Sequence, residues 1–201
     1  MLEVITGSMY SGKTEELMRR MKRYQIAGHS TIIIKPSIDN RYSSDSIATH
    51  DYNLMPCKVI DSLDHLALFW KTHVENDKSS LMPKAIGIDE IQFYEQGITS
   101  LVNLWANQGH HIVVAGLNMT SDGLPFGSMP ELLASADKVV QLLAVCTSKT
   151  GNSVCGQPAT HTVKILNSPV STSKKIVDIG SFGKYEARCR RCWVNDARGM
   201  K

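Results

Sequence analysis

The sequence predicts an α/β fold in which a parallel sheet is flanked by helices and followed by a small β lobe of different character. Three observations carry this expectation. β-Branched and aliphatic runs at Leu2 to Thr6, Thr31 to Lys35, Ala85 to Ile88 and Ile112 to Leu117 alternate with stretches of helical periodicity, the pattern of strands joined by crossover helices. A glycine-rich turn, Gly7 to Thr14, stands between the first strand and the first helix. Four of the five cysteines, Cys146, Cys155, Cys189 and Cys192, fall in the last third of the chain as two pairs. At 201 residues, 42% of them apolar, the chain has room for one good-sized domain and an appendage. The expected boundaries are 1–144 for the α/β domain and 145–201 for the lobe.

Composition excludes several classes. The apolar runs are strand-length and far too short to cross a bilayer, and Met1 leads into the first strand without a signal peptide, so a cytoplasmic location and no membrane partner are expected. A formal charge of +3 without a long Lys/Arg run argues against a polyanion surface. Arg19, Arg20, Lys22 and Arg23 are expected to form a solvated helix face.

The turn Gly7-Ser8-Met9-Tyr10-Ser11-Gly12-Lys13-Thr14 matches G-x-x-x-x-G-K-[ST], the phosphate-cradling P-loop. A strand feeding such a turn and a helix N-terminus makes an anion site, because successive backbone N–H groups converge on phosphate oxygens. Lys13 would then reach the β and γ phosphates of ATP, and the Thr14 hydroxyl a Mg²⁺. Along the helix from Glu15 to Tyr24, Leu17, Met18 and Met21 recur on one face and are expected against the sheet. Pro36 stops the second strand, and the polar stretch Ser37 to Asn53 reads as a long loop. Cys57 to Ile60 is a candidate short strand. Asp61-Ser62 then caps a helix with Leu63, Leu66, Ala67 and Trp70 turned inward.

Ala85 to Glu90 runs from apolar residues into two acids, the form of a Walker B strand expected to lie beside the first strand. Asp89 is the candidate Mg²⁺ carboxylate, and Glu90 is left free to act as a general base. Taken alone, such a pair also fits a helix cap; the P-loop upstream favours the metal. Further along, Gln96 to Gln108 is a helix with Ile98, Leu101, Val102, Leu104 and Trp105 inward. Asn118 to Gly127 is a loop, Pro130 to Ala136 a short helix, and Lys138 to Ala144 a strand.

The tail contains two strand-like runs, Thr160 to Leu166 and Lys175 to Ile179, bracketed by the cysteine pairs. Four thiolates from two turns make a closed Zn²⁺ site, which a lobe with little core needs for stability. Cys189 and Cys192 have the C-x-x-C spacing, whereas Cys146 and Cys155 are stretched beyond it. Unrelated buried or redox-active cysteines are the alternative, and His161 is a substitute ligand should Cys155 not serve.

The segments Gly7 to Thr14, Arg41-Tyr42-Ser43-Ser44, Gly87 to Tyr94, Pro125-Phe126-Gly127, Ala144-Val145-Cys146 and Tyr185 to Cys189 stand in one order along nearly the whole chain. As an ordered set they resemble the zinc-containing thymidine kinases of animal cytosol and most bacteria. The resemblance implies a RecA-like P-loop domain, a structural zinc and transfer of the ATP γ-phosphoryl group to thymidine. It further implies a homotetramer and feedback inhibition by deoxythymidine triphosphate, while the modest net charge and the lack of an aromatic and basic surface pattern lead to the expectation of no nucleic-acid partner. Residue by residue, it makes Glu90 the catalytic base and Asp89 the magnesium-site carboxylate. Met9, Phe93, Leu117 and Phe126 fall on the thymine pocket, and Ile176, Asp178, Ile179, Gly180 and Tyr185 on a closing loop. Without the resemblance, Phe93 and Phe126 read equally well as core. The chain departs from the family at Ser121, where an aromatic is usual, at Asn118, where Asp is usual, and in six extra residues between Cys146 and Cys155. A competing reading is a RecA-like ATPase whose zinc ribbon binds DNA or a protein, and a third is a nucleotide sensor that has lost catalysis.

Overall fold

A computed structural model describes residues 1–38, 46–48, 54–72, 83–150, 153–165 and 184–199. The elements run β1 (Leu2–Gly7), α1 (Lys13–Ile26), β2 (Thr31–Lys35), β3 (Ser46–Ala48), β4 (Leu54–Pro56), β5 (Lys58–Val59), α2 (Leu63–Trp70), β6 (Ala85–Ile88), α3 (Ile98–Asn107), β7 (His111–Gly116) and α4 (Met129–Ser135). They continue with β8 (Lys138–Leu142), β9 (Ala144–Val145), β10 (Lys149–Thr150), β11 (Ser153–Val154), β12 (Pro158–Ala159), β13 (His161–Lys164), β14 (Tyr185–Arg188) and α5 (Arg190–Gly199).

Six strands form one sheet in the order β5-β2-β6-β7-β1-β8, and every neighbouring pair is parallel. A parallel sheet must be covered on both faces, and its strands show how. In β1 and β7, Leu2, Val4, Ile112 and Val114 turn to one face, where α2, α3 and α4 add Leu66, Trp70, Ile98, Val102, Trp105 and Leu132. The alternate residues Ile5, Val113 and Ala115 turn to the other face and meet Leu17 and Met21 of α1. Both α1 side chains are fully buried, each worth about 1.5–3 kcal/mol of hydrophobic stabilisation. Trp70 and Trp105 stack with centroids 4.3 Å apart and so lock α2 to α3.

Several expectations need correction. The strand ending at Asp89 is not beside β1: β6 pairs with β2 and β7, and β7 separates it from β1. The two loops still meet, because α1 starts at the end of β1 and packs across β7 and β6. The polar stretch after Pro36 is not all loop, since β3 pairs antiparallel with β4. Ile47 is buried there against the α1-side core, and Lys35 Nζ donates to the Ser46 carbonyl at 2.9 Å. One buried side chain in a polar run leaves no periodicity to read. Leu104 is half exposed, because it lies roughly 120° around α3 from the Ile98–Val102–Trp105 stripe. Ala67 of α2 is exposed, and Phe69 packs on the core in its place. Arg20 is not on a solvated face either: it pairs with buried Glu3 and with Glu16, the latter at 2.7 Å.

Beyond the main sheet, β9 pairs with β12 and β13 with β14. Ala144, Cys146, Ala159, Ala187 and Cys189 make a separate small core. Among the described residues, no helix is long and apolar enough to cross a membrane.

Candidate active site and metal cluster

The Gly7–Thr14 turn leaves the C-terminal end of β1. A Cβ on Gly7 would lie 2.4 Å from the Leu142 carbonyl oxygen, so the close approach of β8 requires glycine. Gly12 adopts φ 81°, the left-handed conformation that turns the chain into α1, and among the described residues no side chain caps that helix. Tyr10 is also left-handed, at φ 63°. Inside the turn, Lys13 Nζ and Ser11 Oγ both donate to the Ser8 carbonyl, at 2.8 and 2.9 Å. The turn is held from the other side by the C-terminal residues. Ser8 Oγ donates to the Ala159 carbonyl at 3.3 Å, the Met9 amide to Thr162 Oγ1 at 3.1 Å, and Tyr10 Oη to the Tyr185 carbonyl at 3.1 Å.

Across from it, Asp89 and Glu90 follow β6. Thr14 Oγ1 donates to Asp89 Oδ2 at 2.9 Å, joining the two loops. Adjacent ligands of an octahedral Mg²⁺ at 2.0–2.1 Å stand about 2.9 Å apart, so these two oxygens have the separation and the hard-oxygen chemistry such an ion takes. Asp89 is buried, and its Oδ1 accepts from the Glu90 amide at 3.0 Å. Glu90 has φ 51°, a left-handed conformation rare for a residue with a Cβ. Its Oε2 accepts from Gln92 Nε2 at 2.6 Å, and Gln92 Oε1 accepts from the Leu117 amide at 3.0 Å.

The expected pocket residues are partly gathered. Phe93 and Phe126 meet edge to face with centroids 5.5 Å apart. Leu117 joins them through Gln92, while Met9 and Tyr185 lie on the turn side. All five are partly exposed, which separates them from the fully buried core. Arg41 to Ser44, Ile176, Asp178, Ile179, Gly180 and the strand expected at Lys175 to Ile179 lie outside the described residues.

The ligand atoms of Cys146, Cys155, Cys189 and Cys192 lie within 4.8 Å of one another. Sulfurs around a tetrahedral Zn²⁺ at 2.3 Å stand about 3.8 Å apart, and Cys155 and Cys189 are already at 4.0 Å. The cluster therefore fits a tetrahedral metal. The Cys192 backbone amide, donating to Cys189, contributes most to drawing that thiol down to about 7. His161 is not part of the group: its ring stacks on Trp193 at 4.6 Å, and its Nδ1 is 2.9 Å from Thr160 Oγ1. Within the six extra residues of the first pair, β10 pairs antiparallel with β11 as a hairpin. Its base is closed by Cys155 N donating to Ser148 O at 2.8 Å and Gly156 N to Cys146 O at 3.0 Å, so the two cysteines stay together despite the longer span.

Sequence reasoning missed Gln92 and Trp193. For Gln92 the sequence offered no local signal, because its burial and its bond to the Leu117 amide arise only in the fold. For Trp193 the sequence carried no signal beyond adjacency to Cys192. A helix start that no described side chain caps, the Asp89 carboxylate bonded to its Thr14 and a four-cysteine cluster agree with one further finding, that the sequence model of the family described as thymidine kinase matches residues 1–193. A match over nearly the entire length establishes that this chain belongs to the thymidine kinase family.

Proposed function

We propose that the chain transfers the γ-phosphoryl group of ATP to the 5′-hydroxyl of thymidine. The observation that carries this reading is the Thr14–Asp89 contact at 2.9 Å, with Glu90 next in sequence on the same loop. In this reading the amides of the Gly7–Thr14 P-loop and Lys13 hold the triphosphate, helped by an α1 N-terminus that no side chain caps among the described residues. Thr14 and Asp89 hold Mg²⁺, which when bound offsets charge on the phosphate oxygens. Glu90 accepts the hydroxyl proton. Met9, Phe93, Leu117 and Phe126 offer aliphatic and aromatic walls to a flat pyrimidine. The family resemblance assigns Ile176, Asp178, Ile179 and Gly180 to covering the nucleoside, together with Tyr185 at the start of β14.

The four cysteines bind one structural Zn²⁺, and the chain divides at 144/145 into a nucleotide-binding domain and a zinc-binding lobe. A division near this point is supported by the separate small core around the cysteines, which also takes in Ala144 of β9 from just before the boundary. A cytoplasmic location, a homotetramer and inhibition by deoxythymidine triphosphate follow from the family rather than from residues described above. Small-angle scattering tests the assembly, and a thermal-shift series with nucleoside triphosphates tests the inhibitor.

Purified protein supplied with labelled ATP and a panel of nucleosides should phosphorylate thymidine without DNA. DNA-stimulated ATP hydrolysis with no nucleoside product would overturn the reading in favour of a DNA-linked ATPase.

A further inference from the structure

Gln92 is only 3% exposed, yet both ends of its amide are used. Nε2 donates to Glu90 Oε2 at 2.6 Å and Oε1 accepts from the Leu117 amide at 3.0 Å. The two partners fix which way the amide points, because the flipped form would set its oxygen against the carboxylate and its NH₂ against an N–H. Two glycines make room for it. A Cβ on Gly116 would lie 2.6 Å from Gln92 Oε1, and one on Gly127 2.5 Å from the Gln92 carbonyl oxygen. The end of β7, the loop starting at Leu117 and the turn after Phe126 thus all converge on this residue.

A methionine or leucine would fill the same space without burying an amide, so filling the core does not explain a glutamine. A bond from a neutral amide to a carboxylate is charge-assisted and directional. Glu90 needs such a constraint: it stands in a left-handed conformation at φ 51°, ψ 40°, which surrounding contacts must hold.

We propose that Gln92 is a positioning residue that holds the Glu90 carboxylate in one orientation and ties it to the backbone of the loop carrying Leu117. The inference rests on Glu90 being the base of the proposed reaction. Through this amide, a shift of the Leu117 loop is felt at the carboxylate, so pocket and base move as one unit.

The test is a double-mutant cycle. Gln92→Met, of similar length without the polar ends, is measured in the wild-type and Glu90→Ala backgrounds for kcat and KM with thymidine and ATP. ATP affinity by calorimetry and thermal melting accompany each variant. The expected result in the wild-type background is a fall in kcat of about 10- to 100-fold with ATP affinity within about 2-fold. In the Glu90→Ala background the further loss should be under about 3-fold, because the group through which Gln92 acts is gone. Equal losses in both backgrounds would overturn the inference and leave Gln92 a structural residue. Gln92→Glu guards against misfolding: it keeps an acceptor for the Leu117 amide but sets a second carboxylate beside Glu90, and undiminished kcat in it also overturns the inference. If the wild type makes no thymidine monophosphate, or Glu90→Ala turns over normally, the reading of the site itself falls. An inactive Glu90→Ala beside a fully active Gln92→Met refutes the Gln92 role alone.

Discussion

The Trp193 indole Nε1 donates to the Ser121 carbonyl at 3.3 Å, so the residue after the last cysteine of the cluster reaches the loop that begins at Leu117. One face of the ring region is stacked on His161, and a Cβ on Gly123 would lie 2.8 Å from the indole. The loop that lacks an aromatic at position 121 is thus backed by one supplied from the cysteine cluster. Trp193→Ala should raise the KM for thymidine about 10-fold while leaving that for ATP within about 2-fold. It should also lower the melting temperature by roughly 4–8 °C, for a loss of about 2 kcal/mol. Gly123→Ala should cost about 1–2 kcal/mol, since φ is +78° and the methyl meets the ring. In a Trp193→Ala background only the backbone part of that cost should remain, and thermal melts of the four proteins measure the difference.

How legible the molecule was in its sequence depended on how local each feature is. Leu2 to Thr6 and Ile112 to Leu117 could be read as buried strands because β-branched and aliphatic runs suffice for that. The order of those strands could not, since it is set by where each crossover lands; hence the error over Asp89 and β1. The Gly7–Thr14 turn and Cys189/Cys192 were visible because their chemistry demands fixed spacing. The hairpin between Cys146 and Cys155 was read only as extra length, and Ile47 was hidden by its polar neighbours. Gln92 and Trp193 act through contacts 25 and 72 residues away in the chain, which no local pattern records.

The pair formed by Thr14 and Asp89 predicts separable losses at the proposed site. Glu90→Ala should reduce turnover by about 10²- to 10⁴-fold with ATP binding near normal, since the proposed base alone is lost. Asp89→Asn and Thr14→Val should instead weaken the Mg²⁺ dependence of ATP binding, each removing or neutralising one of two oxygens 2.9 Å apart. Magnesium titrations of ATP affinity distinguish the two classes; near-normal turnover in Glu90→Ala would reject the base assignment.

Acid should weaken the anchoring of α1. Glu16 is held down to about 2, chiefly by its hydrogen bond with Arg19 and then by Arg20, against a desolvation effect that raises it. Because the folded value lies below the ordinary 4.5, the stabilisation is fully present above that pH and is lost as pH falls from about 4.5 toward about 2. The Arg19 side is largely solvent-exposed, so screening keeps the gain small, on the order of 1 kcal/mol at pH 7. Glu16→Gln should therefore melt lower than wild type at neutral pH, with the difference shrinking across that window. A gap that stays constant down to pH 2 would show that the pair contributes nothing through its charge.

The hairpin in the first cysteine pair should be dispensable for the metal site. Ser148 and Cys155 are already joined by a 2.8 Å backbone hydrogen bond, and Gly156 N reaches Cys146 O at 3.0 Å, so the chain returns to its starting point before the second cysteine. Deleting 149–154 would leave Cys146-Thr147-Ser148-Cys155, a C-x-x-C turn, with the closing bonds replaced by the turn itself. Elemental analysis should find one zinc per chain in both the wild type and this deletion, with Cys57 unnecessary because it packs against the α1-side core. Thymidine and ATP kinetics should remain within about 3-fold, as for other distant, independent changes. Cys155→Ser should behave in the opposite way, losing zinc and weakening thymidine binding more than ATP binding, since the Gly7–Thr14 turn is built on β1 and α1. His161 cannot substitute, because its ring is held against Trp193. A deletion that loses its zinc would show that the hairpin itself shapes the metal site; a Cys155→Ser protein that keeps it would exclude that sulfur as a ligand.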